Sequence, residues 1–303
     1  MSLFLKDILN IARSRFSKEG CLTPRLDAEV LMCYTLNRDK SYLFIHYGDI
    51  LDEKTCEEYF RLVDLRAGGM PVPYITGKQE FMGLPFKVNE HVLIPRQDTE
   101  TLVEKTIEEL KKRKVPFGGF RILDLCCGSG AIAVSLAYHL KDIKIKITAS
   151  DISSEALEIA KQNAKQNGVE DKIQFVEGDL FDNFPKNRKG KGKKRYDLIV
   201  SNPPYIPQSV LPTLMREVRE HEPMLALDGG PDGIDYYIRI LAEAYAYLKK
   251  DGILFLEIGH DQGKILPALA EAAGAYENVE IIKDLAGRDR IARIELKQTI
   301  PKK

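Results

Sequence analysis

The order of apolar and polar positions divides the chain into stretches of different period. At the start, Leu5, Ile8, Leu9, Ile11, Ala12 and Phe16 recur at helical spacing. A second helix is predicted from about Asp27 to Leu36 and a third from about Asp52 to Leu65. Gly68, Gly69, Pro71 and Pro73 then break the pattern. Residues 1–70 are therefore expected to form a small helical bundle. Residues 71–98 read differently. Phe81 to Val88 holds two short apolar runs around Gly83 and Pro85, which predicts a hairpin. A helix should follow Pro95, over about Thr99 to Lys112.

From Phe120 onward, short apolar runs alternate with helical periods. Strands are predicted over Arg121–Leu125, Lys144–Ser150, Ile173–Glu177, Tyr196–Ser201, Gly252–Ile258, Val279–Lys283 and Ile291–Leu296. Helices are predicted after Gly130 through Leu140, over Ser154–Asn167, and over a long segment ending near Lys249. Strands alternating with helices give a parallel-rich sheet covered on both faces. Such sheets bind ligands at the carboxyl ends of their strands. Residues 99–303 form the corresponding α/β domain.

Composition narrows the classes. Among 303 residues, 44% are apolar and 30% charged, which suits a globular chain of two domains. Lys plus Arg and Asp plus Glu both number 45. That balance argues against an extensive phosphate-tracking surface, and no nucleic-acid substrate is expected. Residues 186–195 are the exception, with seven positive charges and no negative ones. They read as a solvated loop or as a contact with RNA or an acidic partner. No apolar run reaches the roughly 18 residues a membrane span requires. The start, MSLFLKDILNIARSRF, reads as an amphipathic helix and lacks the pattern of a signal peptide. The five cysteines are odd in number and scattered, which fits a reducing cytoplasm. Neither they nor the five histidines are spaced as metal ligands, so no metal is expected.

Three acidic and glycine-bearing turns mark a cofactor site. Asp124-Leu-Cys-Cys-Gly-Ser-Gly130 lies at a strand-to-helix turn, where backbone amides can approach a ligand. A Gly-x-Gly there also fits plain helix-on-sheet packing. Asp151 ends the next predicted strand, where a carboxylate can take both hydroxyls of a ribose. Asp179 and Leu180 follow the third strand, where an acid and an apolar residue can bracket an adenine. Asp179 alone would also serve as a turn residue. As an ordered set the three favour a class I methyltransferase over a dehydrogenase.

Asn202-Pro203-Pro204-Tyr205 follows the fourth strand of the alternation. Two prolines fix the backbone and leave carbonyls free to accept. The Asn side chain adds an acceptor and the Tyr an aromatic face. The tetrapeptide resembles that of methyltransferases acting on planar NH2 groups, including adenine-amino DNA enzymes and protein glutamine methyltransferases. An amide or adenine nitrogen is a poor nucleophile because its lone pair is delocalised. Acceptors gripping its N–H bonds would orient it and stabilise the developing positive charge.

Further motifs resemble the release factor glutamine methyltransferase family. They are Pro73-Tyr-Ile-x-Gly77, Glu80-Phe-x-Gly83, Leu93-Ile-Pro-Arg-Gln-Asp-Thr-Glu100, Glu222-Pro223, Ala226-Leu-x-Gly-Gly-x-Asp-Gly233, Glu257-Ile-Gly-x-Asp-Gln262 and Asp284-Leu-Ala-Gly-Arg-Asp-Arg290. The resemblance runs by motif from about residue 70 to the end. It implies a Rossmann-like, seven-stranded, mostly parallel sheet with an N-terminal helical domain that helps dock the substrate. It implies S-adenosylmethionine as cofactor, S-adenosylhomocysteine as product, and the Gly-Gly-Gln glutamine of class I release factors as target. A cytoplasmic monomer is expected.

Carried over by position, Asn202 and the Pro203 carbonyl would hold the glutamine amide, with Pro204 and Tyr205 shaping its slot. Asp124, Cys126, Cys127, Gly128, Ser129, Gly130, Asp151, Asp179, Leu180 and Asn202 would hold the cofactor. Arg96 and Glu100 would structure the substrate channel, or else pin the hairpin to the sheet. Two positions depart from the family pattern. Cys126 stands where the first glycine of the cofactor loop is usual, and Gln97 where proline is usual. Rival readings are a glutamine methyltransferase acting on a ribosomal protein, an adenine-amino DNA methyltransferase, and a binding protein without turnover.

Overall fold

The computed structural model describes residues 3–185 and 196–297. The basic stretch 186–195 lies outside the described residues. The chain separates into two compact units, Met1–Lys78 with Leu214–Glu222, and Gln79–Thr213 with Pro223–Lys303.

In the first unit, β1 (Leu3–Phe4) runs into α1 (Leu5–Lys18), followed by α2 (Pro24–Leu36), α3 (Lys40–Ile45), β2 (Ile50–Leu51), α4 (Glu53–Ala67) and α5 (Val72–Thr76). Leu5, Ile8, Leu9, Ala12 and Phe16 of α1 are buried, as their spacing predicts, against Leu31, Met32, Tyr59 and Val63. The short helices α3 and α5 were not predicted. α3 has an Asp39 cap, whose carboxylate accepts from Tyr42 N at 2.8 Å. α5 begins just after Pro71, with Pro73 in its first turn, where a missing N–H costs nothing. A buried Arg66 bonds Asp27 at 2.7 Å and Glu217 at 2.7 Å. The contact with Glu217 ties the distant segment Leu214–Glu222 into this unit.

The second unit opens with the predicted hairpin, β3 (Lys78–Phe81) and β4 (Leu84–Lys87), then α6 (Gln97–Lys112). Phe81, Leu84 and Phe86 join the core beneath the sheet. The α/β alternation follows as β5 (Phe120–Leu125), α7 (Ala131–His139), β6 (Ile145–Asp151), α8 (Ser154–Gln166), β7 (Ile173–Glu177), β8 (Tyr196–Ser201), α9 (Arg216–His221, in the first unit), α10 (Asp235–Glu243), β9 (Leu248–Glu257), α11 (Ile265–Ala273), β10 (Tyr276–Lys283) and β11 (Asp289–Leu296). The seven strands β5 to β11 form one sheet in the order β10-β11-β9-β8-β5-β6-β7. All neighbours are parallel except β11, which is antiparallel to both β9 and β10. β5 and β8 adjoin where the crossovers reverse direction, the place where open α/β sheets form a binding crevice.

The long helix expected to end near Lys249 stops at Glu243. Tyr247 and Leu248 fit helical spacing but are used elsewhere. The Tyr247 ring stacks on Phe181 at 4.8 Å, its carbonyl accepts from Tyr196 N, and Leu248 begins β9. Among the described residues, no helix is long and apolar enough to cross a membrane.

Candidate active site

The carboxyl ends of β5, β6, β7 and β8 open on one cavity of about 210 Å³. Cys126, Cys127, Gly128, Ser129, Asp151, Asp179, Leu180, Asn202, Pro204 and Arg96 line it, so the structure brings together most of the residues singled out in the sequence. Gly130, Asp124, Pro203, Tyr205 and Glu100 lie outside its lining.

The reasons are local. After β5 the chain turns through Cys126 at φ 56, Gly128 at φ 51 and Gly130 at φ 78. At Gly130 a Cβ would sit 3.0 Å from the Ala160 side chain, so this glycine serves the approach of α7 to α8. Asp124 is fully buried behind the wall, and its Oδ2 accepts from Ala133 N at 3.1 Å. Burial raises its pKa well above the usual carboxylate range. It therefore fixes the start of α7 from beneath the ligand surface. Burial likewise raises the Cys126 and Cys127 thiols, so both are held protonated.

Asp151 faces the cavity with its oxygens set by the backbone. Oδ2 accepts from Gly128 N at 2.8 Å, and Oδ1 from Ser153 N at 3.0 Å. Each carboxylate oxygen retains a lone pair for a further donor. Asp179 pairs with Arg239 at 2.7 Å, and Arg239 in turn lies over the Tyr236 ring. Tyr236, Ile132, Ile152 and Leu180 supply apolar wall. A pair of hydroxyls on Asp151, an aromatic base against these walls and a polar tail over Gly128 match this donor set. The residues present fit an adenosyl cofactor.

The Asn202–Tyr205 exit is clamped on its far side. Ile206 N donates to Leu227 O at 3.1 Å, and Gly229 N returns a bond to Ile206 O at 2.9 Å. Gln262 Nε2 donates to Tyr205 O and Gly233 O, both at 3.0 Å, while Gln262 Oε1 accepts from Gly259 N at 2.8 Å. Added Cβ atoms at Gly229 and Gly233 would lie 2.7 Å and 2.4 Å from Tyr205 backbone atoms. The motifs around Gly229–Gly233 and Glu257–Gln262 thus build the cradle of the tetrapeptide.

Beneath it lies a buried carboxyl. Glu257, 1% exposed, ends β9, and its Oε1 accepts from the Tyr205 hydroxyl at 3.2 Å. The Thr99 hydroxyl lies near enough to the same carboxyl to favour its charge. Thr99 Oγ1 also receives Asn202 Nδ2 at 3.3 Å. Burial pushes the Glu257 pKa up to about 7, opposed by Thr99, Arg290 and Tyr205.

Glu100 turns toward the hairpin, where its Oε1 accepts from Met82 N at 2.6 Å. It pins the turn that Met82 makes at φ 53, and of the two roles open to it this is the one its geometry serves.

Two family models match the chain: PrmC N-terminal domain over residues 7–77 and Methyltransferase small domain over residues 99–284. A release factor glutamine methyltransferase of Moorella thermoacetica is 42% identical over 94% of this chain and 96% of its own. That of Leptospira interrogans is 40% identical over 93% and 95%, and that of Clostridium botulinum 36% over 96% and 99%. The chain belongs to the release factor glutamine methyltransferase family. It is a methyltransferase, with the sheet order and helical first unit described above.

Several residues at this candidate site escape a reading by motif alone. Tyr236 and the wall Pro223, Leu225 and Ala226 reach the cavity from far along the chain. Thr99 and Glu257 lay inside quoted motifs but drew no role. A lone acid within the apolar run Ile253–Ile258 was the available signal for Glu257.

Proposed function

We propose that this protein methylates the side-chain amide nitrogen of the glutamine in the Gly-Gly-Gln motif of class I peptide release factors, with S-adenosylmethionine as donor. The observation that carries the reading is Asn202 and Pro204 of the Asn202-Pro203-Pro204-Tyr205 exit lining one cavity with Asp151, in a chain of this family. Asp151 takes the ribose hydroxyls of the cofactor. Asp179 and Leu180 bracket the adenine, and the turn from Cys126 to Gly130 faces the amino-acid end. When bound, the cofactor supplies an electrophilic methyl group.

The protein's part is positional. Asn202 Oδ1 and the Pro203 carbonyl accept the two N–H bonds of the glutamine amide, which aims its nitrogen at the methyl group. As positive charge grows on that nitrogen, both bonds strengthen, so they favour the transition state over the ground state. The amide proton becomes acidic only after transfer, so no strong base is required. Pro204 and the ring of Tyr205 shape the slot, and Arg96 borders its entrance. Residues 1–70 dock the release factor, 71–98 link that domain to the catalytic one, and 99–303 carry the chemistry. Release factors act in the cytoplasm, and so would this enzyme.

Two substitutions separate the roles. Asn202→Ala should lower the single-turnover rate about tenfold to a hundredfold, the worth of one hydrogen bond of roughly 1–3 kcal/mol, with cofactor affinity kept. Asp151→Ala should weaken cofactor binding by a similar factor, read by calorimetry. Near-normal turnover in the first, or an unchanged dissociation constant in the second, would contradict the assignments.

A further inference from the structure

Asn202 can grip a substrate amide in only one of its two flip states. Its carbonyl oxygen must face the cavity, with its NH2 turned away. Nothing in the tetrapeptide itself enforces that choice, because the two ends of a carboxamide have almost the same shape. Thr99 is the neighbour that can enforce it. A hydroxyl has one proton to give and lone pairs to receive. Thr99 accepts from Asn202 Nδ2 at 3.3 Å, and its hydroxyl lies beside the Glu257 carboxyl, whose charge it favours.

We propose that ionised Glu257, acting through the Thr99 hydroxyl, sets the flip state of Asn202 and is thereby a positioning residue for methyl transfer. An ionised carboxylate can only accept, so it claims the Thr99 proton. Thr99 can then only accept from Asn202, which draws the NH2 toward it and leaves Oδ1 for the substrate. Protonated Glu257 gains a donor of its own. Thr99 can accept from it and give its proton to Asn202 Oδ1, which turns the NH2 toward the cavity. A glutamine N–H would then meet a donor.

The surroundings hold this carboxyl where both states are reachable. Tyr205 donates to it at 3.2 Å from the β8 exit, and its Oε2 has no hydrogen-bond partner among the described residues. Thr99 on α6 favours the charge from beside it. Arg290 on β11 favours the charge, but it is shared with Asp98 at 2.9 Å and Asp284 at 3.2 Å. Asp98 on α6 opposes the charge, and Tyr237 on α10 donates to the Glu257 backbone carbonyl at 3.2 Å. Burial brings the balance to about pH 7.

The inference rests on the proposed role of Asn202, so its test has an arm that needs no acceptor. With asparagine side chains labelled by nitrogen-15, and Asn202 assigned from the Asn202→Ala spectrum, its amide resonances should shift with pH around 7 in the native protein. The shift should vanish in Glu257→Gln. A pH-independent Asn202 signal, or one that titrates equally in Glu257→Gln, overturns the proposal whatever substance is methylated. In the second arm, single-turnover methylation of release factor at saturating cofactor should fall with pH below about 7, approaching tenfold per unit. Glu257→Gln should lose that acid limb. Thr99→Val should lower the rate about tenfold or more with cofactor affinity unchanged, and Thr99→Ser should restore it. A Thr99→Val enzyme with the native rate, or one that loses cofactor binding in parallel, also contradicts the proposal. Titration of the resonance in a protein that labels no release factor would instead sink the substrate assignment alone.

Discussion

Cys126 shows how one side chain can depart from a family pattern and still occupy its place. A residue with a Cβ sits there at φ 56, in the left-handed region that suits glycine. The cost is on the order of 1 kcal/mol. Cys126→Gly should therefore raise stability by about that amount, seen as a higher denaturant midpoint at unchanged slope. Equal or lower stability would mean that thiol packing outweighs the strain. Glu257 makes the opposite kind of demand. Its pKa of about 7 in the folded protein exceeds the ordinary 4.5, so the fold holds the proton more tightly than the unfolded chain does. The stability this group adds is complete below about pH 4.5 and is lost as pH rises through about 7. Relative to the native protein, Glu257→Gln should gain stability between pH 5 and pH 8 by roughly 1–3 kcal/mol. A constant difference across that range would count against a buried, titrating carboxyl.

At the scale of elements, what was legible in the sequence is what depends on local pattern. Ile173–Glu177 and Tyr196–Ser201 appear with their predicted ends, because turn residues and a charged stretch bound those apolar runs. The hairpin was legible from Gly83 and Pro85. Gln97 stands at the first position of α6, after an extended Arg96 at φ −99 and ψ 145, so the proline usual in the family would fit without change. The helix expected through Lys249 failed because Tyr247 and Leu248 serve the sheet, a tertiary demand that periodicity cannot report. Gly229 was legible as part of a motif, but its reason is three-dimensional. Its Cβ would press on Tyr205 backbone atoms at 2.7 Å and 2.8 Å, where nothing flexible can yield. Gly229→Ala should displace the tetrapeptide, lowering the methylation rate at least tenfold and stability by about 1–3 kcal/mol. Native activity in this variant, measured beside a melting curve, would show that the cradle does not hold the tetrapeptide in place.

Taken as a whole molecule, the chain keeps the candidate cavity within one unit. Every residue lining the cavity belongs to Gln79–Thr213 or Pro223–Lys303. The class of the second unit could be read from alternation alone. The membership of Leu214–Glu222 in the first unit could not, because it depends on Arg66 meeting Glu217 across about 150 residues of sequence. The residues proposed to hold the cofactor were picked out for the same reason as the sheet, since each sits at or just beyond a strand end. The supporting Thr99 and Glu257 were not, since their meaning lies in which side chain they touch. The central claim is that the amide nitrogen of one glutamine receives the methyl group. Its most direct test is transfer of labelled methyl from S-adenosylmethionine to purified class I release factor, beside the same factor with its Gly-Gly-Gln glutamine changed to alanine, a ribosomal protein fraction and duplex DNA. Label on the intact factor alone is the predicted result. Label on the alanine variant, on ribosomal protein or on DNA would contradict it.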